Sequence, residues 1–299
     1  MEKIILKPNN DIKMNTYVTS FLEYIDVAPK TIETYKIALK QFCDYLYEND
    51  IKNPTREEII AYREYLKSYL KPNTVNSYLI AVRNFYDWLE YEEITKNVTK
   101  GIKGIKLETK HLKRGLSVEE IKKVLDVCKD KREVLLIKLM INCGLRCNEV
   151  VNIQLQDFYD DKGVIMLKVL GKARGGLKQD SVKIDYRLFE LIQEYVKEFN
   201  ITDYLFVSTI NHNSNGKLTT KTIRYIVTNL FKKAGLDMER LSTHSTRHTT
   251  VELALESGMA IQEVSEFVRH KSISTILVYS KELNQRKSVI ANKLADIIF

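Results

Sequence analysis

A repeated segment in the first third of the chain constrains the fold most. Residues 28–46, APKTIETYKIALKQFCDYL, align with residues 71–89, KPNTVNSYLIAVRNFYDWL, at an offset of 43 residues. The identical pairs are Pro29 and Pro72, Thr31 and Thr74, Tyr35 and Tyr78, Ile37 and Ile80, Ala38 and Ala81, Phe42 and Phe85, Asp44 and Asp87, and Leu46 and Leu89. Each copy opens with proline and threonine and continues with apolar residues at helical spacing, so each copy predicts one amphipathic helix.

Two copies are too few to stack into a repeat solenoid, which needs at least three units to bury a continuous core. We therefore expect a compact helical domain over residues 13–98, with further helices near 13–26 and 55–69. The start Asn53-Pro54-Thr55 is typical of a helix N-terminus. With only 11 Gly and 4 Pro in 299 residues, helix should dominate the whole chain.

A basic segment, residues 99–115, follows this domain. Between residues 100 and 115 it holds six Lys or Arg, one Glu and three Gly, without a sustained helical or strand period. It is either a solvated linker or a strap across a phosphate backbone, and the net charge of +8 favours the strap. The strap predicts DNA contacts by Lys103, Lys106, Lys110, Lys113 and Arg114.

A second domain is predicted over residues 116–299. Ser117 and Glu120 form a capping box before a helix, and 132–144 predicts a buried helix. Alternating apolar residues at 163–170 and 181–185 predict two strands, joined by the basic turn GKARGG, in which Arg174 is a further candidate DNA contact. More helices are expected near 187–199, 219–234, 244–257, 260–269 and 284–297. The predicted fold is mainly α with a small antiparallel β-sheet.

The stretch 243-THSTRHTT-250 raises the question of a metal site. His244 and His248 stand four residues apart, a spacing that can place two imidazoles on one metal ion. Arg247 lies between them, however, and a permanent positive charge disfavours a bound cation. No nearby Asp, Glu, Cys or His completes a ligand set, so no metal is predicted and His244 and Arg247 are interpreted as anion ligands.

The four cysteines give no metal motif either. Cys43, Cys128, Cys143 and Cys147 form no C-x-x-C pair, although Cys143 and Cys147 would share one face of a helix. We expect buried, reduced thiols, and this expectation fits a cytoplasmic protein. No secretory signal and no apolar run of membrane-spanning length is visible in the sequence.

The residues of the second domain that could take part in a reaction are Arg146, Glu149, Lys172, His244, Arg247, His270 and Tyr279. Arg146 is predicted to close a helix, with Glu149 three residues further on. Each of these residues alone has an ordinary explanation, such as an i,i+3 ion pair between Arg146 and Glu149. Together they are typical of phosphoryl transfer without a metal. A phosphodiester under attack gains negative charge, which two guanidinium groups neutralise through bidentate hydrogen bonds.

This chemistry also needs a nucleophile and an acid. Tyr279 can serve as the nucleophile, because a phosphotyrosine ester stores the bond energy for a later reversal. An ordinary phenol has a pKa of about 10, so a dense positive field is needed to activate it. A lysine on the basic hairpin can protonate the departing DNA hydroxyl.

The ordered set Arg146-x-x-Glu149, Lys172, His244-x-x-Arg247, His270, Tyr279 resembles the tyrosine recombinases, the phage-integrase and Xer family. The resemblance covers nearly the whole chain: residues 13–98 resemble the core-binding domain and residues from about 111 onward resemble the α+β catalytic domain. It implies that Arg146, His244, Arg247 and His270 hold the scissile phosphate. It further implies that Lys172 is the general acid, Tyr279 forms a 3′-phosphotyrosyl bond, and Glu149 orients the pocket. The family uses neither metal nor ATP.

Three details depart from the usual family pattern. Thr246 takes the place of a common Leu between His and Arg, and Val268-Arg269 replaces a common Leu-Gly before the later His. The hairpin is also longer than usual, so Lys178 is an alternative to Lys172 as the acid. His248 is expected to be packed or to support the phosphate ligands from behind.

The resemblance also carries expectations about partners. It implies double-stranded DNA with specific sites, and four copies of the chain that exchange strands through a Holliday junction. A C-terminal helix over 284–299 would dock on a neighbouring copy or on its own domain. With no extra domain expected before residue 13, a simple Xer-like recombinase is favoured over a large phage integrase. The alternatives are a catalytically silent DNA-binding protein of the same fold and a type IB-like topoisomerase.

Overall fold

The computed structural model describes residues 11–106, 113–173, 176–208 and 216–269, with short stretches at 273, 276–277, 279–280 and 297–298. For residues 11–13, 172–173 and 176–178 it describes the backbone only. The chain divides into two compact units, Met1–Lys110 and His111–Phe299. Within the described residues, no helix combines the length and the apolar character that crossing a membrane requires.

The first unit is a bundle of helices. Its helices are α1 (Asp11–Tyr24), α2 (Pro29–Glu48), α3 (Arg56–Lys67) and α4 (Pro72–Tyr91). Proline stands at the first position of α2 and of α4, where its missing N–H leaves no hydrogen bond unmade. A capping box of Thr55 and Glu58 begins α3.

The repeat encodes α2 and α4 with a common buried face. The equivalent pairs Ala38 and Ala81, Phe42 and Phe85, and Leu46 and Leu89 all lie in the core of this unit. Ile37 and Ile80 are also equivalent, yet both are exposed. The repeated sequence therefore specifies the helix face that packs, and it also repeats one apolar residue on the face that does not.

The basic segment is bound to the first unit up to residue 106. Polar side chains of the helices contact its backbone: Arg56 at the Lys100 carbonyl, Arg63 at the Lys103 carbonyl, Arg83 at the Ile102 carbonyl, and Asn76 at both the N–H and the carbonyl of Ile105. The Ile102 side chain is buried in the core. Residues 99–106 therefore follow the surface of the unit, and the Lys103 and Lys106 side chains are exposed there.

The second unit is mostly helical around a small sheet. Its elements are α5 (Val118–Asp126), α6 (Lys131–Asn142), α7 (Cys147–Val150), β1 (Phe158–Asp161), β2 (Val164–Ala173), β3 (Gly176–Lys183), α8 (Tyr186–Glu198), α9 (Thr220–Lys233), α10 (Ser245–Glu256) and α11 (Ile261–Phe267). A larger core joins α5–α9 to the sheet, and a smaller core of Val251, Leu255, Val264, Val268 and Ile276 packs α10 against α11.

The sheet is antiparallel in the order β1-β2-β3, with one strand more than the sequence predicted. β1 was missed because FYDD does not alternate. It forms through a two-residue turn in which Lys162 (φ 54°) and Gly163 (φ 82°) are both left-handed, a hairpin geometry that matches strand twist. β2 and β3 also pair up to Ala173 and Gly176, so both strands are longer than expected.

Two local predictions on the path from α6 to α7 were wrong. The helix α6 ends at Asn142, so Cys143 and Cys147 do not share a helix face, although both are buried as expected. Arg146 does not close a helix: it caps the start of the four-residue helix α7. Gly144 causes the break, because its φ of 55° is a left-handed conformation that ends a helix and that glycine adopts without steric cost.

Candidate active site

The turn between α6 and α7 holds an arginine over a buried carboxylate. The Arg146 backbone N–H donates to Oε2 of Glu149 at 2.9 Å, and its Nη1 donates to Oε1 at 2.7 Å. The Glu149 side chain is 3% exposed, whereas that of Arg146 is 36% exposed. Burial acts to raise the pKa of Glu149, but the charges of Arg269 and Arg146 and the hydrogen bonds from Arg146 lower it below its ordinary value. The carboxylate is therefore ionised. It holds Arg146, whose side chain remains partly exposed to solvent.

Arg247 is a buried arginine on α10. Its two terminal nitrogens donate to the backbone carbonyls of Gly144 and Val268, so it joins α10 to the α6–α7 turn and to the end of α11. Burial and the nearby charge of Arg146 lower the pKa of Arg247, while Glu149 opposes this shift. A guanidinium starts from so high a pKa that it remains charged at neutral pH.

Arg269, just after α11, completes this cluster. Its Nη2 donates to Oε2 of Glu149 at 3.1 Å and to the Gly144 carbonyl at 3.3 Å, and its side chain is 7% exposed. Its φ is 55°, a left-handed conformation that costs about 1–2 kcal/mol for a residue with a Cβ. The sequence showed Arg269 only as a departure from a family pattern and assigned it no role. No local signal links residue 269 to residue 149, so only the folded structure reveals the contact.

His248 lies against Tyr279. The Tyr279 hydroxyl and Nδ1 of His248 are hydrogen-bonded, and the two ring centroids are 5.2 Å apart. Burial, together with His244 and Arg247, lowers the pKa of His248 to about 4, so this imidazole is neutral at pH 7. A neutral imidazole can accept a hydrogen bond from the phenol at Nδ1. The structure thus places His248 at the candidate nucleophile.

His244 directly precedes α10, and the residue as a whole is exposed. Its imidazole is nevertheless partly desolvated. This desolvation, with the charges of Arg146 and Arg247, lowers the pKa of His244. Arg224 on α9, which sequence reasoning missed, adds to the same positive field and also interacts with Cys147. An imidazole in such a field favours an anionic ligand over a cation.

The histidine pair does not build a metal site in the described part of the chain. Nowhere among those residues do three His, Cys, Asp or Glu side chains come close enough together to hold an ion. His248 instead has Tyr279 as its partner.

The two lysines predicted as candidate acids lie on the β2–β3 hairpin. The backbone of Lys172 pairs with Leu177 and that of Lys178 with Gly171, which puts the two candidate acids on neighbouring positions of the β2–β3 hairpin. His270, Arg174 and Lys110 lie outside the described residues, as does the predicted C-terminal helix except for Ile297 and Ile298.

Two cations of the basic segment bind protein acceptors in the second unit. Nζ of Lys113 donates to the Glu239 and Leu241 carbonyls at 2.8 and 3.2 Å. Arg114 forms a bidentate pair with Glu120 at 2.6 and 2.7 Å. Residues 113–116 therefore attach to this unit, whereas Lys103 and Lys106 are exposed residues on the first unit.

Gly115 fits against α10 because it has no side chain. Its N–H donates to Glu252 at 2.8 Å, and the next N–H, of Leu116, donates to Oγ1 of Thr249 at 2.8 Å. A Cβ at position 115 would lie 2.8 Å from the Thr249 backbone, closer than atoms can pack. The end of the basic segment is thus fixed to the helix that carries Arg247.

Comparison with known proteins gives the family. The phage integrase family model matches residues 114–286, and the model of the phage integrase N-terminal SAM-like domain matches residues 18–93. The chain belongs to the phage integrase family and is a tyrosine recombinase.

The similar proteins include recombinases from several organisms. A tyrosine recombinase XerC of Caldanaerobacter subterraneus is 31% identical over 68% of this chain and 57% of its own length. A tyrosine recombinase of Pseudothermotoga lettingae is 29% identical over 94% of this chain and 99% of its own. Among solved structures, the XerH site-specific recombinase bound to palindromic difH substrate, a post-cleavage complex, superposes with a TM-score of 0.73 at 24% identity, over 87% of this chain and 80% of that one.

Proposed function

We propose that this chain recombines DNA at specific sites by forming a covalent bond between Tyr279 and a 3′-phosphate. The observation that carries the proposal is the contact between the Tyr279 hydroxyl and His248, one residue from the buried Arg247. A tyrosine that only packs has no need of a neutral imidazole at its hydroxyl, and this imidazole is itself close to the buried guanidinium of Arg247. The family membership and the recombinases among its relatives support the same conclusion.

In the first step the phosphate binds. Arg146 and Arg247 supply positive charge to its non-bridging oxygens, the imidazole of His244 adds a hydrogen-bond donor, and His270 is proposed as a fourth ligand. Charge on these oxygens grows as the bond to tyrosine forms, so donors already fixed in place favour the transition state over the substrate. The backbone carbonyls and Glu149 hold the guanidinium groups of Arg247 and Arg146, so little rearrangement is needed during the reaction.

In the second step Oη of Tyr279 attacks phosphorus, and the bond from phosphorus to the 5′ oxygen breaks. The phenolic proton passes to Nδ1 of His248, which is the acceptor that the hydroxyl already contacts. A neutral imidazole with so low a pKa is a weak base, but a bound phosphate would raise that pKa through its negative charge. The 5′ oxygen takes a proton from Lys172, or from Lys178, and leaves as a hydroxyl. Reversal with another 5′ hydroxyl rejoins the strands.

The proposed partners are two double-stranded DNA sites and further copies of the chain. Strand exchange between two duplexes requires one nucleophile for each of four strands, and we propose that four copies supply them. A relative in the post-cleavage state with palindromic DNA is consistent with paired, symmetric half-sites. Reconstitution with the purified chain alone tests whether it recombines these sites without accessory proteins or a second recombinase.

The proposed function is tested by capture of the covalent adduct. The full chain is incubated, in excess EDTA, with random-sequence duplexes that each carry one nick, so that the short cleaved fragment diffuses away. We expect a protein–DNA band that survives denaturation, and sequencing the retained DNA gives what we term the captured duplex. The band should persist in EDTA because guanidinium groups supply the positive charge. No band on any duplex would contradict the proposal, and a band that appears only after a divalent ion is restored would contradict the metal-free mechanism.

Two further outcomes separate the alternatives. A catalytically silent DNA-binding protein would bind the nicked duplexes without forming a covalent band. A topoisomerase would relax any supercoiled plasmid, whereas the proposed recombinase acts only on plasmids that carry the captured sequence.

Neutralising Lys103 and Lys106 should weaken DNA binding through the electrostatic part of the affinity. Both residues are exposed on the first unit. Removing one lysine–phosphate ion pair should flatten the slope of log affinity against log salt by about 0.9, so Lys103→Gln with Lys106→Gln should flatten it by up to about 1.8. Ion pairs with phosphate carry no base information, so affinity should fall equally on captured and random duplexes. Fluorescence anisotropy across a salt series measures both quantities.

A matched double variant, Lys122→Gln with Lys123→Gln on α5, removes the same charge from the second unit. An equal change in slope for the two double variants would show that only net charge matters. An unchanged slope for the Lys103 and Lys106 variant would mean that residues 99–106 are not a DNA-binding strap.

A further inference from the structure

Arg269 is a third guanidinium in the cluster, beyond the two that the mechanism uses. We infer that Arg269 is a positioning residue, which holds Glu149 and the Gly144 carbonyl so that Arg146 and Arg247 face the scissile phosphate in a fixed geometry. This inference rests on the proposed function. It assigns to Arg269 no contact with the DNA itself.

The contacts of Glu149 show how Arg269 acts on Arg146. Oε1 of the carboxylate accepts from Nη1 of Arg146, while Oε2 accepts from the Arg146 backbone N–H and from Nη2 of Arg269. Arginine and carboxylate otherwise tend to pair through two parallel hydrogen bonds. Because Arg269 occupies Oε2, Arg146 meets the carboxylate through one terminal nitrogen and retains donors for a phosphate. Without Arg269, we expect Arg146 to close onto Glu149.

The Gly144 carbonyl links Arg269 to Arg247 in the same way. Both guanidinium groups donate to this one oxygen, and Arg247 also binds the carbonyl of Val268, the residue directly before Arg269. Two positive groups on one carbonyl repel each other, and the negative charge of Glu149 offsets this repulsion. The position of Arg247 is therefore coupled to Arg269 through the backbone at both ends.

The backbone conformation offers an independent indication. A φ of 55° disfavours a side chain at position 269, yet an arginine stands there with its guanidinium buried against three backbone carbonyls and a carboxylate. Glycine fits the same conformation freely, so Arg269→Gly removes the guanidinium without a steric reason for the backbone to move. Arg269→Gly therefore tests the role of the guanidinium without adding backbone strain.

The experiment compares Arg269→Gly, Arg269→Lys and the control Arg187→Gln in the full chain. Arg187 is an exposed arginine of α8 and matches the loss of one positive charge in the same unit. Single-turnover cleavage of the captured duplex is measured at saturating protein, and DNA affinity is measured separately by anisotropy. Thermal unfolding shows that each variant is folded at the assay temperature.

We expect Arg269→Gly to slow cleavage on the order of 10- to 100-fold, as misplacement of a catalytic group does, with DNA affinity changed by less than about threefold. Arg269→Lys should recover only part of the rate, because an ammonium restores the charge but not the planar fork. Adding Glu149→Gln to Arg269→Gly should slow cleavage much less than Glu149→Gln does in the parent chain, since the two residues act as one unit. Arg187→Gln should cleave at the parent rate.

Cleavage by Arg269→Gly within about twofold of the parent chain would overturn the inference, as would full rescue by lysine, which would show that charge alone matters. A second measurement keeps the test independent of DNA cleavage. Inorganic phosphate is titrated into each folded chain, and binding is read from the rise in unfolding temperature. We expect Arg269→Gly to bind phosphate at least about tenfold more weakly, because displaced guanidinium groups lose strong, charge-assisted hydrogen bonds to the anion. Equal phosphate binding by Arg269→Gly and the parent chain would overturn the inference. This holds even if the parent chain forms no DNA adduct, because a missing adduct contradicts only the proposed function.

Discussion

Tyr279→Phe is expected to abolish the covalent protein–DNA band on the captured duplex while changing DNA affinity by less than about twofold. The substitution removes the one oxygen that can bond to phosphorus, so no residual rate should remain, in contrast to the loss of a stabilising donor. The ring still packs beside His248, so the fold should be preserved. A denaturing gel measures the adduct, and anisotropy measures binding.

Tyr225→Phe is the matched control, because Tyr225 is an exposed tyrosine of the same unit and its loss should leave the band intact. A band that persists in Tyr279→Phe but disappears in Tyr225→Phe would move the nucleophile to Tyr225. Tyr195 is a poor alternative, since its side chain is buried in the core and burial raises the pKa of its hydroxyl to about 12. A nucleophile must reach the DNA, and this side chain does not.

Arg247→Lys is expected to slow single-turnover cleavage on the order of 10²- to 10³-fold, the usual effect of removing one fixed donor to a developing negative charge. Lysine keeps the charge, but its single ammonium cannot bind the Gly144 and Val268 carbonyls and a phosphate with the planar geometry of arginine. Stability should fall as well, because Arg247 joins three parts of the second unit. Cleavage is therefore measured well below the unfolding temperature of the variant.

Arg187→Lys is the matched control for the same chemical change at an exposed site, and it should cleave like the parent chain. Cleavage by Arg247→Lys within about tenfold of the parent chain would assign Arg247 to stability alone. Comparison with Arg269→Gly also distinguishes the two arginines. Substituting a residue that contacts the phosphate should slow cleavage more than substituting a residue that only positions its neighbours.

Residue type and order predict the groups of the site but not the contacts between them. Arg146, Glu149, His244, Arg247 and Tyr279 were all predicted as site residues from residue type and order, and the structure places the first four around the α6–α7 turn and the start of α10. This prediction was possible because phosphoryl transfer without a metal requires a particular set of charged and nucleophilic groups. Their hydrogen-bond partners could not be recognised in this way.

The basic segment shows the same limit. Its sequence treats Lys103, Lys106, Lys113 and Arg114 alike, as exposed cations without a period. The structure separates them, because Arg114 pairs with Glu120 and Lys113 binds carbonyls more than a hundred residues away. Charge is a property of the sequence, but the acceptor that a charge meets is a property of the fold.

The sequence by itself determined the described helices of both units except α7, the presence of a small antiparallel sheet and a candidate set of reactive groups. Periodicity, proline at helix starts and capping boxes act within a few residues, so they can be read along the chain. The tertiary structure alone decided that Arg269 shares Glu149 with Arg146, that His248 meets Tyr279, and that Gly144 supplies a carbonyl to two arginines. Those contacts join residues 31 to 125 positions apart. No local preference encodes them, because they exist only once the packing of α6, α10 and α11 has brought distant backbone and side-chain groups within hydrogen-bonding distance.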